Sequence, residues 1–144
     1  MVYYVVNIFS DFIRQKRGIT NLNESAYNKV ISNTKLIKKK KDIKIISLGF
    51  GKQKDSKYFY REINEKIKNI DINYLDNFNI YIIKYIYASL SLLIKLFRNR
   101  KNINQIIFYN PSLVYLPSFI ACKFFKITII LDYEDGMSSK LLII

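Results

Sequence analysis

The chain has 144 residues, of which 50% are hydrophobic and 24% charged; this excludes a disordered tail and suits one domain with a real core. It holds no histidine and a single cysteine, Cys122. A His/Cys metal site, a Ser-His or Cys-His catalytic pair and an intramolecular disulfide are therefore excluded, and a reducing, cytoplasmic setting is expected. The formal charge of +13 points to a phosphate-bearing partner, either nucleic acid or an anionic membrane. The richness in Ile, Lys, Asn, Tyr and Phe, with 4 Gly, 2 Pro and no Trp, is also what A+T-rich codon usage leaves behind. The lysines are scattered and the arginines few, so nucleic acid is not the expected partner.

The first nine residues, MVYYVVNIF, lack the basic lead-in and small-residue cleavage site of a signal peptide. Their apolar run over 2–9 reads as a strand buried on both faces. A polar loop is expected over 10–23. Asn23 then caps a helix whose apolar residues are Tyr27, Val30, Ile31, Leu36 and Ile37. Four lysines at 38–41 complement the helix dipole and solvate its exit. A second strand over 43–48 ends at Gly49-Phe50-Gly51, and 52–57 reads as loop. Segments 58–63 and 68–75 have strand character, although 61–66 suits a short helix equally well.

A long helix is expected from about residue 77 to 98. Its core, FNIYIIKYIYASLSLLIKLF over 78–97, is the length of a bilayer crossing but carries Lys84 and Lys95. Together with Ser91 these form one narrow polar face, while Ile82, Ile83, Ile86, Leu90, Leu93, Ile94 and Phe97 cover most of the rest. A helix packed on a sheet with one wet edge accounts for this; peripheral membrane contact and a small membrane-anchored protein are the other readings. A buried strand over 104–109 stops at Asn110-Pro111. A helix from Ser112 then carries Leu113, Leu116, Phe119, Ile120 and Phe124, with Pro117 in its early turns. The last strand, 126–131, empties into Asp132-Tyr133-Glu134-Asp135-Gly136. Strands alternating with helices predict an α/β fold, a doubly wound parallel sheet.

Ligands of such sheets bind beyond the carboxyl ends of the strands. Arg14, Gln15, Lys16, Arg17 and Gly18 follow the first strand, and Gly49, Phe50 and Gly51 the second. Asn110 and Ser112 follow the 104–109 strand, and Asp132, Glu134 and Asp135 the last. Gly18 can let backbone amides approach a phosphate or sugar, with Arg14 and Arg17 supplying charge, or can simply make a turn. The acidic cluster can orient sugar hydroxyls, bind a metal or act as a base, and a solvated acidic turn explains it equally well. Asn110 and Ser112 are also ordinary helix caps.

The order RQKRGI, ESAYNKVISN, IKIISLGFGK and IIFYNPSLVYLPSFIACKFFKITIILDYEDG resembles the N-terminal domain of group 4-like glycosyltransferases of the GT-B fold. The likeness covers nearly the whole chain and is most specific over 105–136. It implies a Rossmann-like acceptor-binding half, residues 1–144, that is incomplete at its C-terminus, with the C-terminal nucleotide-sugar domain absent. The cleft-facing, acceptor-binding residues it implies are Arg14, Gln15, Gly18, Gly49, Phe50, Gly51, Asn110, Asp132, Glu134 and Asp135; it assigns no catalytic residue and no metal. No cofactor is expected on this chain, and the nucleotide-sugar donor falls to the missing domain or to a partner chain. The implied activity is hexosyl-type transfer to a polysaccharide or glycolipid acceptor in cell-surface polysaccharide biosynthesis, with the lone chain inactive. The expected location is the cytoplasm, at the inner face of the membrane, where a sugar or lipid-linked acceptor and an anionic surface are the partners. The alternative is a basic, non-enzymatic α/β binding module for nucleic acid or an anionic surface.

Overall fold

The computed structural model describes residues 1–21, 24–54 and 57–134, together with the backbone of 141–143. The elements are β1 (Val2–Val6), α1 (Asp11–Lys16), α2 (Glu24–Lys38), β2 (Ile43–Ser47), β3 (Phe59–Tyr60), β4 (Ile63–Ile67), β5 (Ile70–Tyr74), β6 (Asn77–Phe78), α3 (Ile83–Asn99), β7 (Gln105–Tyr109), α4 (Leu116–Phe124), β8 (Thr128–Asp132) and β9 (Leu141–Ile143). Two 3-10 turns, Arg100–Asn102 and Leu113–Tyr115, lead out of α3 and into α4.

Among the described residues, seven strands form one sheet in the order β4-β5-β2-β1-β7-β8-β9. The five inner strands are parallel, and β4 and β9 pair antiparallel at the edges. The parallel core starts at β1, builds outward through β2 and β5, then crosses back to add β7 and β8 on the other side of β1. That is the Rossmann-like α/β order, and its switch point lies between β1 and β7.

The unbroken apolar run of β1 is what a strand covered on both faces requires. Val2, Tyr4 and Val6 join Ala26, Val30 and Ile31 of α2 in one core layer. Tyr3 and Val5 point the other way, to Ala88, Leu92 and Leu96 of α3 and Cys122 of α4. Each fully buried Val, Ile or Leu here contributes about 2 kcal/mol.

The structure departs from the sequence reading in several places, beginning with the ends of the strands, where β1 stops at Val6 rather than 9 and β8 runs Thr128–Asp132 rather than 126–131. The expected loop over 10–23 contains α1, capped by Ser10, whose side chain accepts from the Ile13 amide. Segment 61–66 is not helical, because β4 and β5 form a hairpin whose turn residues, Lys68 and Asn69, both adopt positive φ. The long helix begins at Ile83 rather than near 77, since Asn77 and Phe78 pair with Tyr60 and Phe59. Its inward row is Ala88, Ser89, Leu92 and Leu96, so the wider apolar face expected to pack is largely exposed: Ile83, Ile86, Leu90, Ile94 and Phe97 all face outward. In α4 likewise Ser118 and Cys122 turn inward, while Leu116, Ile120 and Phe124 stay outside. Among the described residues no helix is long and apolar enough to cross a membrane, which removes the spanning reading of 78–97. The Asn23 cap lies outside the described residues.

Candidate functional site

A cleft of about 670 Å³ opens at the switch point, above the carboxyl ends of β1 and β7. Asn7 leaves β1 at its floor and clamps Phe50 reciprocally. Its Nδ2 donates to the Phe50 carbonyl at 3.0 Å, and the Phe50 amide donates to its Oδ1 at 3.2 Å. This pair of hydrogen bonds fixes the Phe50 backbone, whose ring meets Tyr85 of α3 edge to face at 5.3 Å. The Lys84 ammonium lies 5.9 Å from the Phe50 ring and 5.1 Å from the Tyr85 ring. Two aromatic rings and a cation thus make one wall.

The opposite wall is polar. Asn110, just past β7, has φ +44, a left-handed conformation that Asn tolerates better than most side chains. Its amide donates to the Asp132 carbonyl at 2.8 Å, and its Oδ1 accepts from the Glu134 amide at 2.7 Å. The Glu134 carboxylate accepts from the Tyr109 hydroxyl and lies 4.0 Å from the Lys29 ammonium, which in turn sits over the Tyr109 ring. Ser112 and Leu113 complete the rim. Burial first, then the Glu134 hydrogen bond, pushes the Tyr109 hydroxyl far above its ordinary value, so it stays a donor. Tyr4 and Asp132 repeat the arrangement one strand apart and out of the cleft: Asp132 is buried and accepts from the Tyr4 hydroxyl, whose pKa rises for the same two reasons.

Of the residues singled out in the sequence, the structure brings Phe50, Asn110, Ser112 and Glu134 to this cleft. Asp132 points instead to a separate groove beside α2. Arg14 lies in a shallow pocket between α1 and α2, 3.5 Å from Asp11, and Gln15 is exposed on α1. Gly18, at φ +60, ends α1 in a Schellman motif: its amide donates to the Gln15 carbonyl and that of Ile19 to the Arg14 carbonyl. Those two amides are spent on the helix end. Gly49 and Gly51 admit neighbours a side chain would strike, Arg17 at 2.6 Å from a Cβ on Gly49 and Asn21 at 2.5 Å from one on Gly51.

Arg17 does not supply charge to a ligand. It is fully buried and donates to the carbonyls of Gly49, Arg61 and Leu75 at 2.9, 3.0 and 2.9 Å. Asp135 lies outside the described residues. Sequence reasoning missed Asn7 and Tyr85 as lining residues. The one available signal was Asn7, a polar side chain at the end of an otherwise apolar strand run. Among the described residues no three His, Cys, Asp or Glu side chains gather as a metal site would need.

No family model, curated protein or solved structure matches this chain. The cleft must be read from its own chemistry. It pairs the half-buried Phe50 ring and the exposed Tyr85 ring with an amide, a hydroxyl and a carboxylate, and the carboxylate is held by a neutral phenol and a lysine. Such a set can stack on the apolar face of a polyol ring while reading its hydroxyls.

Proposed function

We propose that the switch-point cleft binds the sugar acceptor of a glycosyl transfer, making the chain the acceptor-side domain of a GT-B-type glycosyltransferase of the group 4-like kind. The observation that supports this reading is the pairing of Phe50 and Tyr85 on one wall with Asn110 and Glu134 on the other. A pyranose stacks its C–H face on the ring and offers hydroxyls to the amide and the carboxylate. The Tyr109 hydroxyl engages Oε2 of Glu134, and Oε1, 4.0 Å from the Lys29 ammonium, is the oxygen that meets the acceptor. Its role is to orient the acceptor hydroxyl that attacks the donor sugar.

In this architecture the nucleotide-sugar donor is held by a second Rossmann-like unit, on the same polypeptide or on a partner chain, facing the cleft. The product is a polysaccharide or glycolipid, assembled at the cytoplasmic side of a membrane. Donor hydrolysis or transfer by residues 1–144 alone is not expected.

Saturation-transfer NMR with a panel of methyl and octyl glycosides tests the reading. Ring-proton signals from a subset of the panel are expected, lost in Phe50→Ala and weakened in Glu134→Gln. A folded chain that gives no signal with any glycoside, or signals that survive Phe50→Ala, refutes it.

A further inference from the structure

Away from the cleft, the outer surface of α3 and α4 is apolar beyond what the core needs. Along α3 the outward residues Ile83, Ile86, Leu90, Ile94 and Phe97 are spaced three and four apart, one continuous row on a helix. Leu113, Leu116, Ile120 and Phe124 repeat that spacing into α4, with Leu113 87% and Phe124 81% exposed. The two helices pack side by side on the same face of the sheet, and Phe97 and Phe124 both contact Phe125. The rows therefore join. Tyr81, just before α3, is 77% exposed and extends the surface toward the cleft mouth. Contiguous exposed apolar surface of this kind marks an interaction site.

Charge identifies the partner. Between Asn77 and Leu131 the sequence holds seven cations, Lys84, Lys95, Arg98, Arg100, Lys101, Lys123 and Lys126, and not one carboxylate. Lys95 is spent on Glu62 at 2.7 Å. Two of the others border the apolar rows, Arg100 4.2 Å from the Phe97 ring and 5.7 Å from that of Phe125, and Lys84 5.6 Å from the Tyr81 ring. Glu62 and Asp76 reach only the edge beside Leu90 and Ile94, where Lys95 and Arg98 face them. A protein partner covering this face would have to be apolar over the rows and acidic opposite the cations. A bilayer with anionic headgroups offers that combination over any area, taking the apolar side chains at the acyl boundary and the ammonium and guanidinium groups at the phosphates.

We propose that the α3–α4 surface docks the protein on an anionic lipid bilayer, with Ile83 to Phe97 and Leu113 to Phe124 inserted at the interface. This goes beyond the acceptor reading and does not depend on it, since the test reads partitioning and not glycoside contact. Docking in this orientation places the cleft mouth, bordered by Lys84 and Leu113, next to the headgroups.

The test is co-sedimentation of the whole chain with phosphatidylcholine vesicles and with vesicles in which about a third of the lipid is phosphatidylglycerol. Binding is expected on the phosphatidylglycerol vesicles, weakening with added salt, and Ile94→Glu/Phe124→Glu should lower it by about tenfold or more. Lys101→Glu/Lys123→Glu, at two exposed positions, should lower binding to phosphatidylglycerol vesicles without affecting the residual binding to phosphatidylcholine; it keeps the proposal testable if the first variant does not fold by circular dichroism. The proposal is overturned if the wild type ignores phosphatidylglycerol vesicles, or if a folded variant binds them as the wild type does. It is equally overturned if light scattering shows a lipid-free dimer that Ile94→Glu/Phe124→Glu dissociates, or if an oligonucleotide is bound in preference to the vesicles.

Discussion

The Arg17 guanidinium donates to the Gly49 carbonyl at 2.9 Å, and a Cβ on Gly49 would stand only 2.6 Å from the same nitrogen. Arginine and glycine are therefore chosen as a pair. Through Leu75 and Arg61 the same guanidinium also ties the residue after β5 to the approach of β4, so one side chain fixes the ends of neighbouring strands. Arg17→Ala leaves three carbonyls without their donor and a large void, and should cost about 3 kcal/mol. Gly49→Ala meets both the close approach and a φ of +61, and should cost about 2 kcal/mol. Because the two share one contact, the double variant should lose less than the sum. Urea melts of the three variants check this.

Alkaline pH acts on the same core. Burial raises the phenol pKa values of Tyr4, Tyr74, Tyr109 and Tyr115 well above the ordinary 10.0. An unfolded tyrosine ionises from about pH 10 while the folded one holds its proton, so stability is full below that pH and falls as pH rises through and beyond it. Arg17 works in the opposite sense. Burial lowers its pKa from 12.5 to about 10, so its unfavourable burial as a cation is relieved above that pH. Four phenols outweigh one guanidinium, and the net expectation is a steep fall. Thermal melts between about pH 8 and pH 11, paired with tyrosine absorbance, should show the loss of stability coinciding with tyrosinate formation.

Cys122 offers an internal reporter of folding. It sits on the inward side of α4 at 1% exposure, and burial pushes its thiol from 9.0 up to about 12. The thiolate that alkylating reagents need is therefore scarce in the folded chain. Iodoacetamide labelling should follow the global unfolding transition in urea. Labelling that runs ahead of that transition would mean that α4 opens on its own.

The sheet was legible and the helix faces were not. Periodicity marked β1, β2, β7 and β8 because parallel strands covered on both sides must be apolar throughout, and the Ile, Val and Phe runs satisfy that. In α3 and α4 the same reasoning picked the wrong rows. Where Ile, Leu and Phe surround a helix, hydrophobicity does not say which side meets the sheet, and the small residues Ala88, Ser89, Ser118 and Cys122 won the close approach. At the site, Phe50, Asn110 and Glu134 were visible as residues just past strand ends. The burial of Arg17 was not, because its partners are backbone carbonyls, which have no signature in sequence.

Asn110 links this geometry to ligand binding, and its two roles can be separated. The backbone needs φ +44, and the side chain holds the Glu134 amide at 2.7 Å. Asn110→Gly keeps the first and removes the second; Asn110→Ala removes both and adds about 1 kcal/mol of left-handed strain. The glycine variant should therefore melt close to wild type while its Glu134 turn loosens, and the alanine variant should be measurably less stable. If Glu134 orients a hydroxyl in the cleft, both variants should weaken glycoside contacts similarly in saturation-transfer spectra, despite their different stabilities. If binding instead follows the melting temperature, Asn110 acts only by keeping the β7 end folded.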